Sequence, residues 1–209
     1  MKRWLAITIL CSSSFGWAAT AVELGCKNLR VVLDARLSPA LVAQEWGSGN
    51  PRPEAAATLE LVGCQGQLLD KLVLPAALAQ IDPVPMRGDA YPTYLVSADL
   101  TVEAGSYNGP VTMPIQIVGN HLLPAVARFS DKPTKPIVLT LTGKSAWRRA
   151  ARRNSDDLLF VSSQPQGQGF VTLYRRYFLA NHQWQVKQRS RNGLWESDAD
   201  FPDRQLFPR

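Results

Sequence analysis

Apolar and polar positions alternate with period two along much of this chain, the pattern of strands that bury one face. Leu29, Val31 and Leu33 alternate in this way, and Leu59 and Leu61 do so shortly before Cys64. From Thr93 to Glu103, Tyr94, Val96, Ala98, Leu100 and Val102 share one face. Thr93, Ser97, Asp99, Thr101 and Glu103 share the other, with Leu95 the single exception. The turn formers from Gly105 to Pro110 follow, and Val111 to Val118 resumes the apolar run, which predicts a hairpin. Gly119-Asn120 reverses the chain again into Leu122 to Phe129. Ile137, Leu139 and Leu141 complete a predicted meander.

Helix is scarce in this reading. Ser38 to Trp46 fits two turns capped by Ser38 with Pro39 at the first position, and Pro75 to Ile81 fits one or two more. The prolines of Asp131 to Pro136 mark a linker or long turn. The 15 prolines would interrupt long helices. The predicted fold is therefore all-β and mainly antiparallel, a sandwich or a meander or barrel-like arrangement with one or two short helices.

Toward the C-terminus, Phe170 to Leu179 reads as a strand, Asn181-His182 as part of a turn, and Trp184 to Arg191 as the next strand. Asn192-Gly193 then suits a type I′ turn into a strand from Leu194 to Asp198. That register sets Arg191 opposite Leu194, Arg189 opposite Glu196 and Lys187 opposite Asp198. Opposite charges facing across a ladder contribute about 0.2 to 1 kcal/mol each, so much of this basic stripe would be neutralised. On the other face Trp184, Val186 and Trp195 would meet as core. Arg175 and Arg176 are strand neighbours and must point to opposite faces.

The first residues read as an export signal. Lys2 and Arg3 are a positive start, Trp4 to Cys11 an apolar stretch, and Ser12 to Ala18 a small-residue approach to Ala19-Thr20-Ala21. Cleavage is expected after Ala21, giving a signal peptide over 1–21, a β-rich domain over 22–143 and a basic, aromatic-rich region over 144–209 packed on it with an extended tail. A lipoprotein reading would use Cys11, but Leu10 before it is too large for that site. No later apolar run approaches the roughly 18 residues that span a bilayer. The expected location is the periplasm. There Cys26 and Cys64 form an even pair with one possible connectivity, and a disulfide between them is predicted.

Composition, with 45% hydrophobic and 19% charged residues, is that of a folding chain. The formal charge of +6 is unevenly placed: Lys2 and Arg3 leave with the signal, residues 22–143 carry 9 basic and 11 acidic side chains, and residues 144–209 carry 12 and 6. Of 18 aromatic residues, 10 lie in that last segment. Basic side chains interleaved with flat rings suit a polyanion or a sugar.

The densest basic cluster runs from Lys144 to Arg153. If Ser145 caps a short helix, Arg148 and Arg152, and Arg149 and Arg153, lie four residues apart on one side, where like charges repel. A cluster of this kind raises local potential and is the candidate anion-binding or partner-binding site: Lys144, Arg148, Arg149, Arg152 and Arg153, with Arg175 and Arg176 beside them. The competing reading has Asp156 and Asp157 compensate the charge at the end of that helix.

Catalytic signatures are missing. His121 and His182 sit beside turn residues and away from any Gly-x-Ser-x-Gly elbow. Asp198, Asp200 and Asp203 lack the glycine and terminal glutamate of a calcium loop. No zinc spacing, phosphate loop or dinucleotide fingerprint is present, so no cofactor or metal is expected. The leading expectation is an exported, non-enzymatic protein that binds an anionic envelope component, such as lipopolysaccharide or peptidoglycan, or a protein partner; nucleic acid is disfavoured. The alternatives are an inhibitor or immunity protein of a secreted hydrolase, and an envelope carbohydrate hydrolase with paired carboxylates drawn from Asp34, Glu60, Asp99 and Glu103.

Overall fold

A computed structural model describes residues 21–33, 56–99, 106–129 and 132–202, which form fifteen strands and no helix. The first sheet joins β1 (Ala21–Leu24), β2 (Lys27–Val32), β3 (Thr58–Val62) and β4 (Leu68–Val73) in sequential antiparallel order. The middle sheet holds β5 (Ala79–Ile81), β6 (Thr93–Asp99), β7 (Pro110–Val118) and β11 (Leu139–Thr140), with β8 (His121–Pro124) also paired to β7. The third sheet holds β9 (Val126–Phe129), β10 (Lys132–Pro136), β12 (Ser145–Ala151), β13 (Asp156–Gln166), β14 (Gly169–Ala180) and β15 (Gln183–Asn192), in the order β10-β9-β15-β14-β13-β12. The described strands pair antiparallel except β9 with β15, and no sheet closes into a barrel.

Leu95, the one break in the alternation of β6, marks the middle layer. Tyr94 and Val96 pack against Leu29, Leu59 and Leu61 of the first sheet. Leu95 points the other way and joins Leu158, Phe160, Tyr177 and Trp184 of the third. The middle sheet is thus covered on both faces. Asp89 fastens two of these layers: its carboxylate accepts from Thr93 Oγ1 at 2.8 Å and Gln116 Nε2 at 3.0 Å, and from Trp184 Nε1 at 2.9 Å. With the Tyr91 backbone N–H at 3.4 Å, four donors on one half-buried carboxylate satisfy it.

Several sequence expectations hold. The β6 and β7 hairpin forms with Thr93 facing Gln116, and Gly119-Asn120 turns β7 into β8. A two-residue turn at Asn181-His182 joins β14 to β15, both residues having positive φ as a type I′ turn requires. The Cys26–Cys64 disulfide is formed, with Cα atoms 4.7 Å apart, tying the β1–β2 turn to the end of β3.

Others are corrected. Pro75 to Ile81 is a bend running into β5, with no helix. The proline-rich segment Asp131 to Pro136 is no linker from Lys132 onward: it is the edge strand β10, where proline's missing N–H is tolerated. The strand expected from Leu122 to Phe129 breaks at buried Ala125, after Pro124, so that β8 stays in the middle sheet and β9 joins the third. Lys144 to Arg153 holds no helix; Ser145 begins β12, which pairs with β13 from Ser145 facing Ser162 to Ala151 facing Asp156.

The expected hairpin at Asn192-Gly193 is also absent. Residues 194–198 form no strand and cross the outer face of the third sheet. Gly193 N donates to Phe170 O at 2.9 Å and Trp195 N to Ser163 Oγ at 2.8 Å, and Ser197 N donates to Gly143 O at 3.1 Å. Trp195 is buried against Leu159, Val161 and Tyr174, on the opposite side of the sheet from Trp184 and Val186. Burial of the indole outweighs the local turn preference. The expected helix at Ser38 to Trp46, the residues before Ala21 and the tail beyond Pro202 lie outside the described residues.

Candidate functional site

β13 is the most deeply buried strand of the third sheet, and its apolar run Leu158 to Val161 is buried on both faces. Two aspartates precede that run, and alternation sends them to opposite sides. Asp156 is 1% exposed and Asp157 2%. Both reach arginines.

Toward the middle sheet, Asp156 accepts from Arg87 Nη2 at 2.8 Å, from the Arg87 backbone N–H at 2.9 Å and from Arg149 Nε at 2.9 Å. Burial pushes its carboxyl up, but the side-chain and backbone hydrogen bonds from Arg87 and those from Arg149 outweigh it and hold it below the usual range. Arg149 also donates to the carbonyls of Val84 and Pro85. Toward the outside, Asp157 Oδ2 accepts from Arg152 Nε and from Arg176 Nε, each at 2.8 Å. Arg87 was no sequence candidate; it comes from the loop before β6.

The predicted arginine surface is therefore divided. Because β12 is a strand, Arg148 and Arg149 face opposite ways, and Arg148 stacks 4.9 Å over the Phe201 ring. Arg153 is exposed in the turn before β13. Lys144 pairs with Glu196, the acid expected opposite Arg189, and lies 5.8 Å from the Phe170 ring. Arg175 and Arg176 take opposite faces as expected; Arg175 donates to Gln188 Oε1 at 2.8 Å and lies over Phe160, whereas Arg176 lies over Phe178. The compensation by Asp156 and Asp157 holds, but in a sheet and not at a helix end.

The cations assigned a neutralising hairpin are the ones left exposed. Lys187, Arg189 and Arg191 alternate on β15 and face the same side as Arg176 and Tyr174. Arg128 on β9 lies beside Gln185 on that side. All four are exposed, and among the described residues none makes an ion pair. Lys187 lies 5.6 Å over the Phe178 ring, leaving its ammonium in solvent. The period-two placement of these cations was visible in the sequence. What hid them was the assumed path of Leu194 to Asp198, and the bulk of Trp195 was the signal against it.

The remaining candidates do not converge. Glu60 pairs with Arg30 at 2.8 Å on the first sheet, while Asp99 ends β6 in the middle sheet; Asp34 and Glu103 lie outside the described residues. His121 sits 3.5 Å from Asp70, and His182 is exposed in its turn. Among the described residues no group of three His, Cys, Asp or Glu side chains could hold a metal. A shallow open depression of about 510 Å³ at the far end of β15 is lined by Gln166, Gly169, Phe170, Asn192 and Gly193, without a titratable group. No helix among the described residues is long and apolar enough to cross a membrane. Comparison of the chain with protein-family models, with curated proteins and with solved structures finds no match in any of the three.

Proposed function

We propose that this is an exported binding protein, not an enzyme, that takes an anionic partner against the basic face of β15. The observation that carries the reading is the row Lys187, Arg189 and Arg191, exposed on one face with no ion pair among the described residues. Arg128 extends it onto β9. Alternate strand residues lie about 7 Å apart, so the row presents a line of positive potential to a partner of opposite sign. The original cluster contributes little to this surface, because Arg149, Arg152 and Arg176 are committed to Asp156 and Asp157. The leader-like first residues and the disulfide support export to an oxidising compartment.

The test is retention of the protein on lipopolysaccharide, peptidoglycan and a carboxylated resin across a salt gradient. Substituting Lys187, Arg189 and Arg191 together by Gln should abolish salt-sensitive retention. Replacing exposed Arg153 by Gln should leave most of it. Equal retention of the triple variant and the parent overturns the reading.

A further inference from the structure

β15 has a strand on both sides at Trp184 and Gln185, where β9 meets it. From Val186 to Asn192, among the described residues, it pairs with β14 alone. We propose that this open edge takes up, as an added antiparallel strand, an extended segment of a partner protein with Asp or Glu at alternate positions. The inference rests on the anion-binding reading of β15 and adds the backbone to it.

The backbone geometry is set by the turn. A two-residue loop at Asn181-His182 makes Ala180 and Gln183 a hydrogen-bonded pair. Counting by twos directs the backbone groups of Lys187, Arg189 and Arg191 to β14. Those of Gln188 and Ser190 turn to the open edge. An antiparallel strand added there would meet Lys187, Arg189 and Arg191 at its non-hydrogen-bonded positions, where facing Cα atoms are about 4.5 Å apart and side chains are closest. Its alternate side chains, about 7 Å apart, match the spacing of the cations. Main-chain bonds would supply affinity and the acidic pattern specificity, as in other cases of strand addition.

Competing occupants fit less well. A second β15 in antiparallel register sets cation against cation, which destabilises the pair. Charged edges discourage neutral strands, but a row of one sign on one face makes that exclusion sign-specific. A flexible polyanion would use the charges and leave the edge groups to water. The chain carries an acidic period-two segment of its own, Glu196-Ser197-Asp198-Ala199-Asp200. It is held across the sheet by buried Trp195 and by Ser197 N donating to Gly143 O, and so leaves the edge open.

The experiment uses the full chain and a ten-residue peptide alternating Glu and Thr. It is compared with the same peptide N-methylated on its edge-facing amides, with a peptide of equal composition whose glutamates are clustered, and with polyphosphate. Affinity is read by titration at low and moderate salt, and amide exchange is read at Gln188 and Ser190. The alternating peptide should bind at least tenfold tighter than the methylated one and should slow exchange at both amides. Lys187→Glu with Arg189→Glu and Arg191→Glu should move the preference to an alternating Lys and Thr peptide. Equal binding of methylated and parent peptides, or unchanged exchange, overturns strand addition while leaving the anion-binding reading intact. Binding of polyphosphate alone does the same. Failure of every anionic probe overturns both, and self-association in place of peptide binding names a second copy as the occupant and overturns the partner proposal.

Discussion

Asp156 and Asp157 are adjacent on β13, yet each lies buried on a different face of the third sheet and each gathers two arginines. Arg87 and Arg149 meet at the first, Arg152 and Arg176 at the second. One dipeptide thereby neutralises charge on both sides of a strand, and one half of the device ties the loop before β6 to the third sheet. Such an arrangement is possible because strand neighbours diverge, whereas helical neighbours four apart would share a side.

Removing either carboxylate leaves two guanidinium groups facing an uncharged site. Breaking a fully buried pair costs about 3 to 5 kcal/mol. The Arg87 side chain is 50% exposed and can recover hydration, so Asp156→Asn should cost less, about 1 to 3 kcal/mol. Asp157→Asn is expected in the same range, since Arg152 and Arg176 keep 26% and 20% exposure. Urea denaturation of each variant measures the loss.

Acid should act through the same residue. Asp156 has its folded-state pKa below the ordinary value of 3.8, because hydrogen bonds from Arg87 and Arg149 overcome the effect of burial. A depressed carboxyl contributes its full stabilisation above the unfolded value, and that contribution is lost as pH falls through the lower folded value. Stability of the parent should therefore decline below about pH 4, and Asp156→Asn should flatten part of that decline. Equal slopes for parent and variant between pH 5 and 2 would contradict this.

Strand alternation made much of the fold legible, and it failed where tertiary burial overrode a local signal. β6 and β15 alternate in sequence apart from Leu95, and two-residue turns at Gly119-Asn120 and Asn181-His182 close β7 onto β8 and β14 onto β15, so these residues declared their strands. β13 was missed because Leu158 to Val161 is apolar on both faces and has no alternation to read. The alanines and arginines of β12 favour helix by propensity, but pairing with β13 decides otherwise. The site was legible as composition and as the alternate placement of Lys187, Arg189 and Arg191, but not as an unneutralised surface. The basic C-terminal third was evident, but which cations stay free depends on where Trp195 is buried and on two carboxylates whose sheet register no local pattern reveals.

Trp195 is the residue that draws the chain across the sheet and away from β15. It is buried with Leu159, Val161 and Tyr174, and its indole N–H donates to Asp200 O at 3.4 Å. Trp195→Ala should cost about 3 to 5 kcal/mol, the range for deleting a large buried aromatic. Chemical denaturation would show a lower midpoint. Freed residues 196–200 should then compete for the β15 edge, so the variant's affinity for an acidic peptide should fall as well.

The disulfide offers a test remote from the charged surfaces. Cys26 and Cys64 are separated by 38 residues, and closing a loop of that length stabilises by about 4 kcal/mol through the unfolded chain. Cys26→Ser with Cys64→Ser should lower the denaturation midpoint accordingly. Binding through β15 should persist in conditions where the variant remains folded, since both cysteines lie in the first sheet's turns.

The turn at Asn181-His182 sets the register of β15 and hence which backbone groups reach the open edge. His182 has φ of 60° and Asn181 of 51°. Asparagine tolerates that left-handed region, but a histidine there is strained by its Cβ, and glycine is not. His182 is exposed, so its side chain contributes little packing that glycine would lose. His182→Gly should therefore stabilise the protein by about 0.5 to 1 kcal/mol. It should also leave the Ala180 and Gln183 pairing unchanged. A destabilised variant would show that His182 is not strained at this position, and exchange protection at Gln188 and Ser190 that matches the β14-facing residues Arg189 and Arg191 would show that the turn does not set the register in this way.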